Sequence, residues 1–319
     1  MTIPGAVAAE GVDEGVAAHY GDPLREQRLL TEEVAVVDRG NRGVLAVPGP
    51  DRLTWLHSLL TQHVERLPAW RGTEALLLSP HGHIENHVLI ADDGETTWLD
   101  TEPGRAGELL AFLEKMRFML RVDPAEVTDR WSVLSVLGPR SGEVLPVLAE
   151  WQVAALPSGG WVRRNPWGAD LLVPRDQAQQ VAQGLGVPFA GVAAYEAVRV
   201  AARRPRLGFE TDHRTIVQEP EWVASAVHLE KGCYRGQETV ARVHNLGRPP
   251  RRMVLLHLDG VSDDLPAHGD PVEADGRAVG FVGTAIRHYE LGPIALALVK
   301  RNVLDDAVLQ IGETRAAID

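Results

Sequence analysis

The sequence predicts an α+β protein closed by an all-β tail. Strand-like and helix-like periods alternate up to about residue 202, and the alternation runs twice. Helical periodicity then vanishes beyond Arg251, where short apolar runs are separated by Gly, Pro and Asp. Two layered α+β units in succession, followed by a small barrel or sandwich, satisfy both observations.

Residues 1–15 are rich in Ala, Gly and Glu and lack the basic start and apolar run of a signal peptide, so they are expected to be a loose leader. Residues 44–47 read as a strand. Asp51 is a candidate N-cap for a helix to about His63, with Leu53, Leu56 and Leu60 on one face. Residues 75–78 and 84–90 read as strands around a Pro80-His81-Gly82 turn, and 96–99 as another. Pro103 opens a helix to about Leu120, with Leu109, Leu113, Met116 and Leu120 in register. The second pass begins with a strand over 131–137. Gly138-Pro139 then leads into a helix ending near Ala149. A strand at 171–173 and helices over 176–185 and 193–202 follow. The tail offers strands at 253–258, 271–273, 278–286 and 294–299.

At 319 residues, 45% apolar and 24% charged, the chain can bury a large core across two or three domains. It contains no run of about 18 apolar residues, so no membrane helix is expected. A single cysteine forbids an internal disulfide, fits a reducing cytoplasm and excludes a self-contained four-cysteine iron–sulfur site. The net charge of −12 repels a nucleic-acid backbone, and no direct nucleic-acid partner is expected. A local basic strip, Arg242, His244, Arg248, Arg251 and Arg252, either meets an anionic ligand tail or pairs with nearby carboxylates. No heptad seam asks for a partner, which makes a monomer the default.

The one cysteine sits in Lys231-Gly232-Cys233-Tyr234-Arg235-Gly236-Gln237-Glu238. A lone cysteine is commonly a small core hydrophobe. Here a lysine two before and an arginine two after would favour thiolate, and a glycine permits close approach. Cys233 is therefore a candidate reactive thiol.

This motif, continued by Thr239-Val240-Ala241-Arg242, resembles the signature of the YgfZ family, folate-binding iron–sulfur accessory proteins related to the glycine cleavage T protein, an aminomethyltransferase. The tail segments 279–284 and 291–299 are similar to the C-terminal barrel of T proteins. The resemblance implies a three-domain T-protein-like ring: two ferredoxin-like α+β domains and a C-terminal β-barrel. The first domain would comprise 16–48 and 129–245 and carry Cys233, with 49–128 inserted and 246–319 as the barrel. It also implies tetrahydrofolate or a one-carbon derivative as cofactor. The partners it implies are iron–sulfur enzymes, tRNA-modifying ones included, or cluster-assembly proteins.

Aligned on Gly82, Asn86 falls where T proteins carry a catalytic aspartate; a one-residue shift would bring Glu85 there instead. Asn cannot act as a carboxylate base but can hydrogen-bond a pterin. Ala201 stands where T proteins grip the pterin with a glutamate. Tyr195 can stack on a flat heterocycle or pack in the core. Arg199 is a further expected folate contact, and Glu219, held extended by Pro220, is either another or a solvated loop acid. Gln237 replaces a basic residue near the folate tail.

His81, His83, Glu85 and His87 would share one face of an extended segment, as a solvated surface, a folate wall or metal ligands. Ligands at that spacing on one strand do not readily converge, and no metal of the chain's own is expected. The sequence shows neither a spaced acid/base pair nor a phosphate loop, so no classical turnover reaction is expected. If there is one, it is a tetrahydrofolate-dependent one-carbon transfer. The competing readings are an aminomethyltransferase of the glycine cleavage type and a scaffold that binds no folate.

Overall fold

The computed structural model describes residues 3–261 and 263–319. Met1 and Thr2 of the expected leader lie outside the described residues. Of the rest, Val7–Ala8 pairs antiparallel with Ala17–His19, so part of that leader is structured.

The chain divides into two compact units. The first holds the chain up to Leu77, Asn86–Tyr195 and Glu230–Tyr234; the second holds Leu78–Glu85, Glu196–Leu229 and Arg235–Asp319.

The first unit contains two sheets. A six-stranded sheet runs in the order Val153–Ala155, Trp161–Asn165, Gly168–Pro174, Trp131–Leu137, Ala35–Asp38, Phe189–Ala190. Its pairings are antiparallel except the last, which is parallel. A five-stranded sheet runs Arg71–Leu78, Ile84–Asp92, Thr96–Thr101, Gly43–Pro48, Ala125–Glu126. Helix α1 (Pro23–Glu32) starts with Pro23 at its first position and the Asp22 side chain accepting the Arg25 N–H. Helices α2 (Arg52–Leu59) and α3 (Ala106–Lys115) lay Trp55, Leu56, Leu109 and Leu113 onto Leu45, Val88 and Leu99. Helix α4 (Ala178–Gly184) sets Ala178 and Ala182 against Val136 and Leu171.

A third cluster draws Val44 and Ala91 from one sheet together with Val133, Trp161 and Leu172 from the other, so the two sheets share a core. A buried ionic chain crosses the same layer. Arg42 binds Asp100 and Glu102 at 2.8 and 3.0 Å, and Arg163 binds Asp100 and Asp170 at 2.8 and 3.0 Å. Isolated charges in otherwise apolar strands gave no sequence signal for this network.

The second unit centres on a closed six-stranded barrel in the order Arg251–Leu258, Gly292–Lys300, Arg277–His288, Pro271–Ala274, Leu309–Ile311, Thr314–Ile318. Alternation explains its two faces. Val254, Leu256, Ala295, Ala297 and Val299 point inward. Leu255, Ile294 and Leu296 point the other way and pack on Val200 of helix α5 (Val192–Ala201). A short α6 (Val223–Ala226) and then α7 (Gln237–Leu246) complete the helices.

Three expectations change. The helix over 139–149 is absent; only a 3-10 turn, Ser141–Glu143, forms there. Gly138 has φ +117° with the Glu33 carbonyl 2.3 Å from where a Cβ would sit, and Pro146 follows, so the chain cannot wind into a longer helix. The helix begun at Asp51 stops at Leu59, because Leu60 bridges Leu77 and the Thr61 N–H donates to the Leu76 carbonyl. The helix expected from Pro103 to about Leu120 runs only over Ala106–Lys115, and α7 was not read from the sequence. Among the described residues no helix is long and apolar enough to cross a membrane.

Candidate functional site

The chain passes from the first unit to the second inside the cysteine motif, after Tyr234. Each half of the motif is anchored in its own unit. In the first, the Lys231 ammonium lies at the C-terminal end of α2 and donates to the carbonyls of His57, Leu60 (2.5 Å) and Gln62 (3.1 Å). A helix ends with unsatisfied carbonyls, and a three-donor cation is matched to them. Burial pulls this ammonium down to about 8, opposed by Glu65. Its Nζ is 5.0 Å from the centroid of the Tyr234 ring, and burial pushes the Tyr234 hydroxyl up to about 12. Cys233 is exposed. Beside it, a Cβ on Gly232 would meet nothing within 4 Å.

In the second unit, Gly236 has φ +81°, and a Cβ there would sit 2.6 Å from the Ser79 carbonyl and 2.9 Å from Gly82 Cα. Gly82 itself has φ +81° and lies where a Cβ would strike Thr239 at 2.6 Å. These two glycines let the Ser79–Gly82 turn rest directly on the first turn of α7. Thr239 Oγ1 donates to the His81 carbonyl at 2.8 Å, and Arg235 pairs with Glu85 at 2.7 Å. Gln237 begins α7, and the exposed Glu238 in its first turn complements the helix dipole. Lys231 and Arg235 each have acceptors within their own unit.

The segment 79–87 does not present one shared face. The His81 and His83 rings lie 6.3 Å apart, their main-chain N–H groups both donate to Ser79 Oγ, and Glu85 is taken by Arg235. His87 is buried against Glu74 at 2.9 Å.

Of the expected folate residues, Asn86 is buried in the first unit, and its Oδ1 accepts from Thr101 Oγ1 at 2.5 Å. Its amide N–H₂ is the group it can offer a ligand. Tyr195 is half-buried; its hydroxyl accepts from Arg39 Nη1 at 2.8 Å and the guanidinium lies 4.2 Å over the ring. Neither Thr101 nor Arg39 was singled out in the sequence, because nothing local marks them as partners.

Arg199 and Glu219 are both engaged by other groups of the second unit. Arg199 uses all five N–H groups. Nε and Nη2 donate to Glu196 (3.1 and 2.6 Å), Nη1 to Glu210 (2.9 Å) and the Arg204 carbonyl (2.6 Å), and Nη2 also to Thr284 (2.7 Å). Glu219, 1% exposed, accepts from Arg251 at 2.8 and 2.9 Å and from the Ile216 N–H at 3.0 Å. Arg251 also grips Asp212 at 2.6 Å. Burial opposes ionisation of Asp212, but hydrogen bonds from Arg251 and Thr215 outweigh it and hold the carboxyl well below the usual range. Ala201 packs with Val200 onto the barrel strands. In the basic strip, Arg251 and Arg252 are paired, the latter with Asp305 at 2.5 Å, while Arg242, His244 and Arg248 are exposed.

A family model described as the GCVT N-terminal domain matches residues 17–175, and one described as the CAF17 C-terminal β-barrel domain matches 251–319. An aminomethyltransferase of Moorella thermoacetica is 24% identical, over 92% of this chain and 87% of its own length. The mitochondrial iron–sulfur cluster assembly factor IBA57 homolog of Aspergillus clavatus is 25% identical, over 84% of this chain and 70% of its own. The crystal structure of glycine cleavage system aminomethyltransferase T from Bartonella henselae superposes with a TM-score of 0.86, covering 98% of this chain and 92% of that one at 19% identity. That likeness establishes the fold: the mixed α/β arrangement and closed C-terminal barrel of the T proteins.

Proposed function

This chain belongs to the YgfZ/CAF17 family, relatives of the glycine cleavage T protein, and from that membership we propose that it is a tetrahydrofolate-binding accessory protein supporting assembly or repair of iron–sulfur clusters. The observation that carries the reading is Cys233: an exposed thiol on a segment of the first unit that Lys231 ties to three carbonyls at the end of α2. A cluster needs about four ligands, mostly thiolates, and this chain has one cysteine. The cluster is therefore cargo, and the remaining ligands come from a partner assembly protein or the recipient enzyme, tRNA-modifying enzymes among them.

Folate enters through the fold family, which binds tetrahydrofolate derivatives. In this reading the Asn86 amide donates to the pterin and Tyr195 offers its ring, while Arg199 and Glu219 serve the folded structure. The aminomethyltransferase alternative needs a carboxylate base that Asn86 does not supply. The protein acts in the reducing cytoplasm, as a monomer, with the thiol unoxidised.

The test is rescue of a four-iron reporter enzyme in cells lacking the protein. Wild-type chain restores its activity; Cys233→Ser folds normally by circular dichroism and restores little of it. Full rescue by Cys233→Ser would remove the thiol role. In parallel, tetrahydrofolate quenches tryptophan fluorescence saturably, and Tyr195→Ala weakens that binding about tenfold, or ~1.4 kcal/mol.

A further inference from the structure

We propose that His57, His63 and Glu65, in the first unit, form a binding site for one divalent metal ion of the zinc type. One nitrogen from each ring and a Glu65 carboxylate oxygen lie within 4.8 Å of one another. The ring centroids are 4.7 Å apart and the rings meet edge to face, so both imidazoles border the same small space. Among the described residues this is the group whose donors come together; the histidines of 81–87, which the sequence suggested, do not.

The local chain explains the convergence. His57 is in the last turn of α2, and the chain reverses immediately after it. The reversal is fixed by the Leu60–Leu77 bridge, by the Thr61 N–H on the Leu76 carbonyl, and by Thr61 Oγ1 accepting the Leu76 N–H at 2.8 Å. The Leu67 N–H closes the next turn on the Val64 carbonyl. His63 and Glu65 therefore return to the side of α2 from which His57 projects, on backbone that is already pinned. The Lys231 ammonium holds the carbonyls of His57, Leu60 and Gln62 in the same loop, which adds a third constraint.

The electronic state of His57 suits a ligand. The Glu65 N–H points at its Nδ1 at 3.4 Å, so that nitrogen carries its lone pair and directs it toward Glu65. At 3.4 Å the contact is long for a hydrogen bond, and a metal can displace it. Two imidazoles and one carboxylate form the ligand set of open zinc sites, with a fourth position left for water or another ligand. Bonds of about 2.0–2.2 Å require the donors to draw in by roughly an ångström. The exposed Glu65 side chain is free to supply most of that movement. Nitrogen donors favour zinc, cobalt(II), nickel(II) or iron(II) over calcium and magnesium, which take oxygen ligands.

The experiment uses full-length protein stripped with a chelator and dialysed. Zinc is titrated calorimetrically, and cobalt(II) is followed by its visible absorption. The expected result is one ion per chain, a tetrahedral or five-coordinate cobalt spectrum without a thiolate charge-transfer band, and at least ~10-fold weaker binding in both His57→Gln and His63→Gln. Cys233→Ser and His213→Gln bind as wild type. Far-ultraviolet circular dichroism confirms that each variant is folded, and His63→Asn serves if His63→Gln is not. No ion bound, undiminished binding in the two histidine variants, or loss of the ion in Cys233→Ser would each overturn the assignment.

Discussion

Arg199 shows how a residue's chemistry and its position can point in different directions. By position it falls beside the stretch where T proteins grip a pterin, and a guanidinium suits an anionic or polar ligand. In the folded chain its five donors are all spent within the second unit, on Glu196, Glu210, Thr284 and the Arg204 carbonyl. Glu210 is fully buried, and the Gly283 position leaves no room for a side chain beside it, since a Cβ would lie 2.6 Å from its carboxylate. Removing the arginine takes the Arg199 cation from buried Glu210 and leaves Glu196 with Arg206 at 3.3 Å. Arg199→Met is expected to lower unfolding free energy by about 3–5 kcal/mol, with Arg199→Lys recovering part of it. Urea denaturation measures this directly. An unchanged midpoint together with weakened folate binding would instead restore Arg199 to a ligand-contact role. The sequence could not reveal the structural role, because its partners lie 3 to 85 positions away. Cys233 was legible for the opposite reason: its motif is contiguous.

At the level of elements, the motif is two fastenings, and its glycines do different work. Gly232 borders open space, whereas Gly236 is in the left-handed region with backbone pressed against it. Gly236→Ala forces a Cβ to within 2.6 Å of the Ser79 carbonyl and strains φ, so the Ser79–Gly82 turn must lift from α7. The expected cost is about 1–3 kcal/mol, read as a lower denaturation midpoint, while Gly232→Ala changes it by less than about 0.5 kcal/mol. Equal effects from both substitutions would contradict the close-contact account. The sequence marked ten of the strands and four of the seven helices, α2 to α5, while α1, α6 and α7 went unread. The failure at 139–149 traces to Gly138 and Pro146, which outweigh the apolar spacing between them.

For the whole molecule, the barrel was readable because four of its six strands stand as apolar runs between Gly, Pro and Asp, but its last two strands and its dependants were not. The family resemblance implied 16–48 and 129–245 as one domain with 246–319 separate. The compact units instead group Glu196–Leu229 with the barrel. Within that unit the reason is ionic and apolar at once. Glu219 is neutralised by Arg251, Glu210 and Arg199 share Thr284, and Val200 is covered by Leu255, Ile294 and Leu296. A chain ending at residue 250 loses all of these. Leaving even one buried charge uncompensated costs about 3–5 kcal/mol, a large part of the ~5–15 kcal/mol that holds a typical domain folded. Segment 196–229 is therefore expected to exchange its amide hydrogens nearly as fast as an unfolded chain in the truncated protein. The strands 43–48, 131–137 and 168–174, whose packing and ion pairs lie wholly in the first unit, should keep their protection. Hydrogen exchange read by mass spectrometry separates the two segments in one experiment. If 196–229 stayed protected without the barrel, the boundary expected from the sequence would be the true one, and the ion pairs with Arg251 and Thr284 would be incidental to it.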